Sequence, residues 1–132
     1  MAYLRLGAIR QARSGKKSAG LLRGIDYIYN PEKTESKYVS GYNLSLPEDL
    51  TDVSRLTKQV YRQMIDIKEA FGKEDGRQGY HYKLAFPASD HLTPDLCMQI
   101  TKEFIERCFP EYQVAYSVHT NTEHLHSHIV FN

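Results

Sequence analysis

YQVAYSVHTNTEHLHSHIVFN, residues 112–132, reads as two strands joined by a short polar turn. Tyr112 to His119 alternates with the period of a strand, residues 120–124 carry turn chemistry, and Leu125 to Asn132 forms the return strand. Four of the six histidines fall in this stretch: His119, His124, His126 and His128. Residues i and i+2 of a strand share a face, so His126 and His128 project together, roughly 7 Å apart at Cα. The turn brings His119 back beside His126. Three imidazoles then meet at the open end of a hairpin. Histidine is the commonest metal ligand, and three of them with positions to spare is the pattern of a catalytic metal centre. The competing reading, polar histidines on an exposed hairpin face, suits a single His-x-His pair better than a pair with a third imidazole at closing distance.

Outward from the hairpin, the chain alternates strands and helices. Ala2 to Arg10 predicts a strand, and residues 11–20 (QARSGKKSAG) a basic loop. Ser18 is placed to cap a helix from about Ala19 to Tyr29, which Pro31 should stop. A short strand is expected near Lys37 to Asn43. Val53, Leu56, Val60, Met64, Ile67 and Phe71 form an amphipathic helical stripe that ends at Gly72. Tyr80 to Phe86 predicts a strand. Thr93-Pro94 opens a further helix with the stripe Leu96, Ile100, Phe104 and Cys108. The order predicts an α+β fold, an antiparallel sheet covered by helices.

A chain of 132 residues holds one domain, and its 41% apolar and 25% charged composition is that of a globular protein. No apolar run approaches the ~18–20 residues of a membrane span. Arg5 and Arg10 break the first apolar stretch, which predicts no secretory leader. Cys97 and Cys108 sit eleven steps apart on one expected helix, roughly 16 Å. That is beyond disulfide reach, so reduced cysteines and a cytoplasmic location are expected. The net charge of +1 is unevenly spread. Arg5, Arg10, Arg13, Lys16, Lys17 and Arg23 precede the first acid, Asp26; from Asp26 onward sixteen acids face eleven bases. A basic N-terminal segment suggests contact with a polyanion, against the plainer reading of a solvated mobile arm.

The motif HTNTEHLHSHIVFN resembles the metal motif of plasmid mobilisation relaxases of the MobA/MobL type, in the His-hydrophobe-His (HUH) endonuclease superfamily. His119, Asn121, His126 and His128 fit its spacing, with Ser127 in place of the usual hydrophobe and Asn121 where an Asp is common. His124-Leu125-His126 matches the literal spelling, but the ligand spacing of the family selects His119, His126 and His128. RGIDYIYNPEKT resembles the helix that carries the nucleophilic tyrosine. Two tyrosines compete there. On a helical wheel from Leu21, Tyr29 shares the Leu22/Ile25/Ile28 arc, while Tyr27 lies at about 240° beside Gly20, Arg23 and Gly24. Tyr27 is therefore the expected nucleophile, with Arg23 to bind phosphate.

The resemblance implies an HUH (ferredoxin/RRM-like) core, read here as an N-terminal relaxase domain over residues 1–132 that is incomplete at its C-terminus. It also implies site- and strand-specific nicking of single-stranded or hairpin origin-of-transfer DNA through a 5′-phosphotyrosine, to start conjugative mobilisation, with accessory mobilisation proteins as further partners. The expected cofactor is a divalent ion, Mg or Mn, with Zn, Co or Ni also compatible with imidazole ligands. Arg10, Arg13, Lys16, Lys17 and Arg23 are the expected DNA contacts. The alternatives are a rolling-circle initiator or HUH transposase, which place the tyrosine after the histidines, and a nucleic-acid- or metal-binding module without catalysis. His81 reads as a strand-face or core histidine.

Overall fold

In the computed structural model, which describes residues 2–132, the elements run β1 (Tyr3–Arg5), β2 (Ala8–Ile9), α1 (Ala19–Ile28), α2 (Pro31–Thr34), β3 (Val39–Tyr42), α3 (Val53–Ala70), β4 (Gly79–Ala85), α4 (Pro94–Cys108), β5 (Val114–His119) and β6 (His126–Phe131). The histidine hairpin β5–β6 is the centre of a six-stranded antiparallel sheet in the order β1-β4-β6-β5-β3, with β2 also paired to β4. His119 faces His126 and Val114 faces Phe131 across the hairpin. This is the antiparallel α+β architecture that the sequence predicts. Among the described residues no helix is long and apolar enough to cross a membrane.

Both faces of the hairpin are covered. Ala115 and Val130 pack with Leu21, Ile25 and Ile28 of α1 and Leu56, Val60 and Met64 of α3. The opposite face, with Val114, Tyr116, Ile129 and Phe131, packs against Ile105 and Phe104 of α4. Each fully buried aliphatic side chain contributes ~1.5–3 kcal/mol. The polar residues of the strands are buried too. Ser127 points to α4 and pairs with Thr101, whose hydroxyl also donates to the Cys97 carbonyl at 2.7 Å. That pairing explains how a serine stands where a hydrophobe was expected.

Several expectations are corrected. The N-terminal strand is split at Leu6-Gly7, where the Gly7 carbonyl accepts from His81 N–H. A Cβ on Gly7 would come within 2.9 Å of the His81 carbonyl oxygen, so only glycine fits this approach. Ser18 does not cap α1; its hydroxyl pairs with Tyr61 Oη at 2.5 Å. Pro31 does not merely stop α1. It starts α2, capped by the Asn30 side chain, which accepts from Glu32 N–H at 2.9 Å. The α3 stripe ends early, with Ile67 and Phe71 exposed. In α4 the buried face is Cys97, Thr101 and Ile105, one residue along from the expected Leu96, Ile100, Phe104 and Cys108, of which Leu96 and Cys108 are exposed. Thr93 does cap α4, accepting from Leu96 N–H at 3.2 Å. Both cysteines are free thiols.

Candidate active site

The face of the sheet beneath α1 gathers the candidate site residues. Strand pairing puts His119, His126 and His128 on this face, with Ser117 opposite His128 on one side and Lys83 opposite it on the other. His81, two residues before Lys83 on β4, shares the face. The rings of His119 and His128 lie 4.0 Å apart between centroids, and those of His81 and His128 5.1 Å apart. His81 Nε2 is 2.9 Å from His128 Nδ1, and His119 Nε2–H donates to the Ile28 carbonyl at 3.1 Å. The Ile28 bond ties the hairpin to the last turn of α1 and leaves His119 Nδ1 with its lone pair. Sequence reasoning missed His81. Its signal was its place in YHYKLAF, but the pairing of β4 with β6 is a long-range contact that no local pattern reveals.

Tyr27 closes the cluster from above. Its ring centroid is 5.5 Å from His119, 5.7 Å from His128 and 6.1 Å from His81. It is 45% exposed. Tyr29, two residues on, is 1% exposed and donates its hydroxyl to the Ser40 carbonyl at 2.7 Å. Burial pushes the Tyr29 phenol well above its ordinary range. The helical wheel separated the two tyrosines in the same sense. Lys33 of α2 stands over the Tyr27 ring, 5.4 Å from its centroid. Its position is held by the Lys33 carbonyl, which accepts from Thr120 N–H at 2.7 Å.

Burial keeps the imidazoles neutral. It depresses His128 to about 2, with His119, His81 and Lys83 adding repulsion, and His119 to about 4. His81 and His126 are lowered for the same first reason, with Lys83 a further cause in each. Neutral imidazoles are the donor chemistry a divalent ion needs, and a contact on one ring nitrogen fixes the other for ligation. His119 and His128 each keep one nitrogen outside the contacts above. As they stand, among the described residues no three His, Cys, Asp or Glu side chains converge as a ready-made metal cage. His124 lies apart; its Nδ1 accepts from Ala88 N–H at 3.3 Å. Asn121 is an exposed turn residue.

The five expected DNA contacts separate. Arg23 is one turn before Tyr27 on α1. Arg13, Lys16 and Lys17 belong to the loop before the other end of the helix, about 12 Å or more along its axis. That loop makes contacts of its own. Ala12 N–H donates to the Lys17 carbonyl, Gly76 N–H to Gln11 Oε1 at 2.7 Å, and the Lys17 ammonium pairs with Asp75. Arg10 is exposed beside β2.

A sheet of this order, with a tyrosine on the covering helix above strand-borne histidines, defines a relaxase-type nuclease fold. The family model described as relaxase, MobA/VirD2-like, nuclease domain matches residues 27–132, and the chain belongs to this family. Among curated proteins it is 38% identical over 65 residues to a Protein rlx of Staphylococcus aureus, covering 49% of this chain and 19% of that one. It is 30% identical over 123 residues to the group II intron-interrupted relaxase LtrB of Lactococcus lactis subsp. cremoris, covering 80% of this chain and 22% of the relative. The chain thus spans about a fifth of the length of these relatives. Its fold is similar to a chain in the solved structure described as "Molecular Basis of Vancomycin Resistance Transfer in Staphylococcus aureus", with a TM-score of 0.59, 13% identity, and coverage of 100% of this chain and 70% of that one.

Proposed function

We propose that this domain nicks one strand of origin-of-transfer DNA by tyrosine transesterification, to initiate mobilisation. The observation that carries the reading is the Tyr27 ring set over His81, His119 and His128 at 5.5–6.1 Å. The phenol oxygen of Tyr27 attacks the scissile phosphorus. A Tyr O–P bond forms, the P–O3′ bond breaks, the phenolic proton leaves to a neutral imidazole or water, and the departing O3′ takes up a proton. The products are a 5′-phosphotyrosine and a free 3′-hydroxyl. Arg23 and Lys33 bring positive charge to the phosphate.

His119, His126 and His128 would hold a divalent ion, Mg or Mn in the first instance, with His81 orienting His128. Such an ion, when bound, supplies Lewis-acid charge for the non-bridging phosphate oxygens. The DNA partner would be single-stranded or hairpin origin DNA, with accessory mobilisation proteins as further partners and the cytoplasm as the place of action. The test is an origin oligonucleotide labelled at its 3′ end and incubated with the protein and Mn. The label should move to the protein band, and the released 5′ fragment should be extendable by a polymerase. A labelled fragment free of protein, or a 3′-phosphate that cannot be extended, would overturn the reading.

A further inference from the structure

Arg5 and Lys83 face each other across the β1–β4 ladder. Lys83 in turn faces His128, so one row crosses the sheet as Arg5, Lys83, His128 and Ser117, on the face that Tyr27 overhangs. Opposed residues on neighbouring strands hold their Cβ atoms about 5 Å apart, and like charges there repel. Neither cation has a carboxylate within ion-pair distance among the described residues. Two uncompensated cations on adjacent strands, one half-buried, are a seat for an anion that bridges them. The next row toward the chain start is Tyr3, Ala85, His126 and His119. Tyr3 is 58% exposed and sits on the outer strand, where a flat base can lie on its ring.

We infer that Arg5 and Lys83 bind the phosphodiester backbone of a single strand beside the Tyr27 cluster, so that the strand crosses β4 and leaves the sheet over Tyr3 and the β1 edge. The inference deepens the proposed nicking by naming the surface that carries the substrate. It displaces the basic loop 10–17 as the main contact. That loop holds more cations in the sequence, but Lys17 is already paired with Asp75, and the loop lies at the far end of α1.

The test is fluorescence anisotropy with the full chain and a labelled oligothymidylate of about 20 nucleotides, longer than the ~4–16 that a single-strand groove covers. The readout is the slope of log Kd against log salt. Each phosphate contact on a single strand contributes about 0.7. The double variant Arg5→Gln/Lys83→Gln should flatten the slope by about 1.4, and Lys83→Arg should preserve it. Arg13→Gln/Lys16→Gln should change it by less than half as much. An unchanged slope in the first variant, or a larger loss in the loop variant, overturns the inference, and so does loss of the slope in Lys83→Arg. Adduct formation by the unaltered protein is scored separately. If adducts form while the Arg5/Lys83 slope is unchanged, the surface is wrong and the chemistry stands. If the slope falls as expected and no adduct ever forms, the surface stands and the nicking reading fails.

Discussion

At its N-terminal end α1 meets a basic loop, and near its C-terminal end it carries Tyr27 over the imidazoles of His81, His119 and His128. In the sequence the first end carries the more conspicuous charge. In the fold that charge is partly consumed: Lys17 pairs with Asp75, and the Gln11 side chain and Lys17 carbonyl close the loop on itself and on Gly76. The second end is poorer in formal charge, yet its cations Lys33 and Lys83 have no carboxylate partner among the described residues, and its imidazoles are held neutral by burial. Charge density along a chain therefore locates a surface less well than charge left uncompensated in the fold. Neutral donors, free cations and an exposed phenol share one face at the second end, which is why the proposed chemistry is assigned there.

The largest effect that would break this contrast is on adduct yield. His119→Ala or His128→Ala should lower covalent protein–DNA product by about a hundredfold or more on denaturing gels, whereas Arg13→Gln should stay within about twofold. Equal losses at the two ends would dissolve the distinction. Next comes pH. His119 at about 4 and His128 at about 2 lie below the ordinary 6.5, so the unfolded chain binds more protons in acid. Their contribution to stability is full above about 6.5 and is lost as pH falls, through about 4 for His119 and onward to about 2 for His128. Denaturant midpoints should therefore drop between pH 6.5 and 4, and His119→Gln should make the drop shallower. A flat profile would mean that the histidines are exposed.

Smaller effects sharpen the comparison. Tyr29→Phe removes the bond to the Ser40 carbonyl and should cost about 1 kcal/mol in urea unfolding while adducts still form. Thr93→Ala removes the cap of α4, on the other face of the sheet, and should also cost about 1 kcal/mol. Its adduct yield should equal that of the unaltered protein. A loss of adduct there would tie the cap to the chemistry, contrary to the account.

Much of the fold was legible because its signals are local. The hairpin alternation, the Thr93-Pro94 start and the long α3 stripe each depend on neighbours in sequence. The failures come from tertiary competition. Tyr61 claims the Ser18 hydroxyl that local rules assign to a cap. Ile67 and Phe71 continue the apolar period of α3, but the buried face runs from Met64 to Lys68, whose ammonium donates to the Gln78 carbonyl at 3.4 Å. In α4 both the expected and the observed stripes have helical spacing, and the choice between them falls to Ser127, which needs Thr101 opposite it. At the site, the hairpin placed His119, His126 and His128 on one face, and the wheel separated Tyr27 from Tyr29. His81, Lys33 and Lys83 reach the site through the β4–β6 pairing and the contact of α2 with the β5–β6 turn, which short-range pattern does not encode.

The central claim is that Tyr27 is the attacking residue, and the most direct measurement is the mass of the tryptic peptide that carries the nucleotide. Cleavage after Arg23 and Lys33 gives GIDYIYNPEK, residues 24–33, which holds both tyrosines. After reaction with origin DNA and nuclease trimming, fragmentation should place the phosphonucleotide on Tyr27 and leave Tyr29 unmodified, and Tyr27→Phe should remove the modified peptide altogether. A nucleotide on Tyr29, or on any residue outside this peptide, would contradict the account.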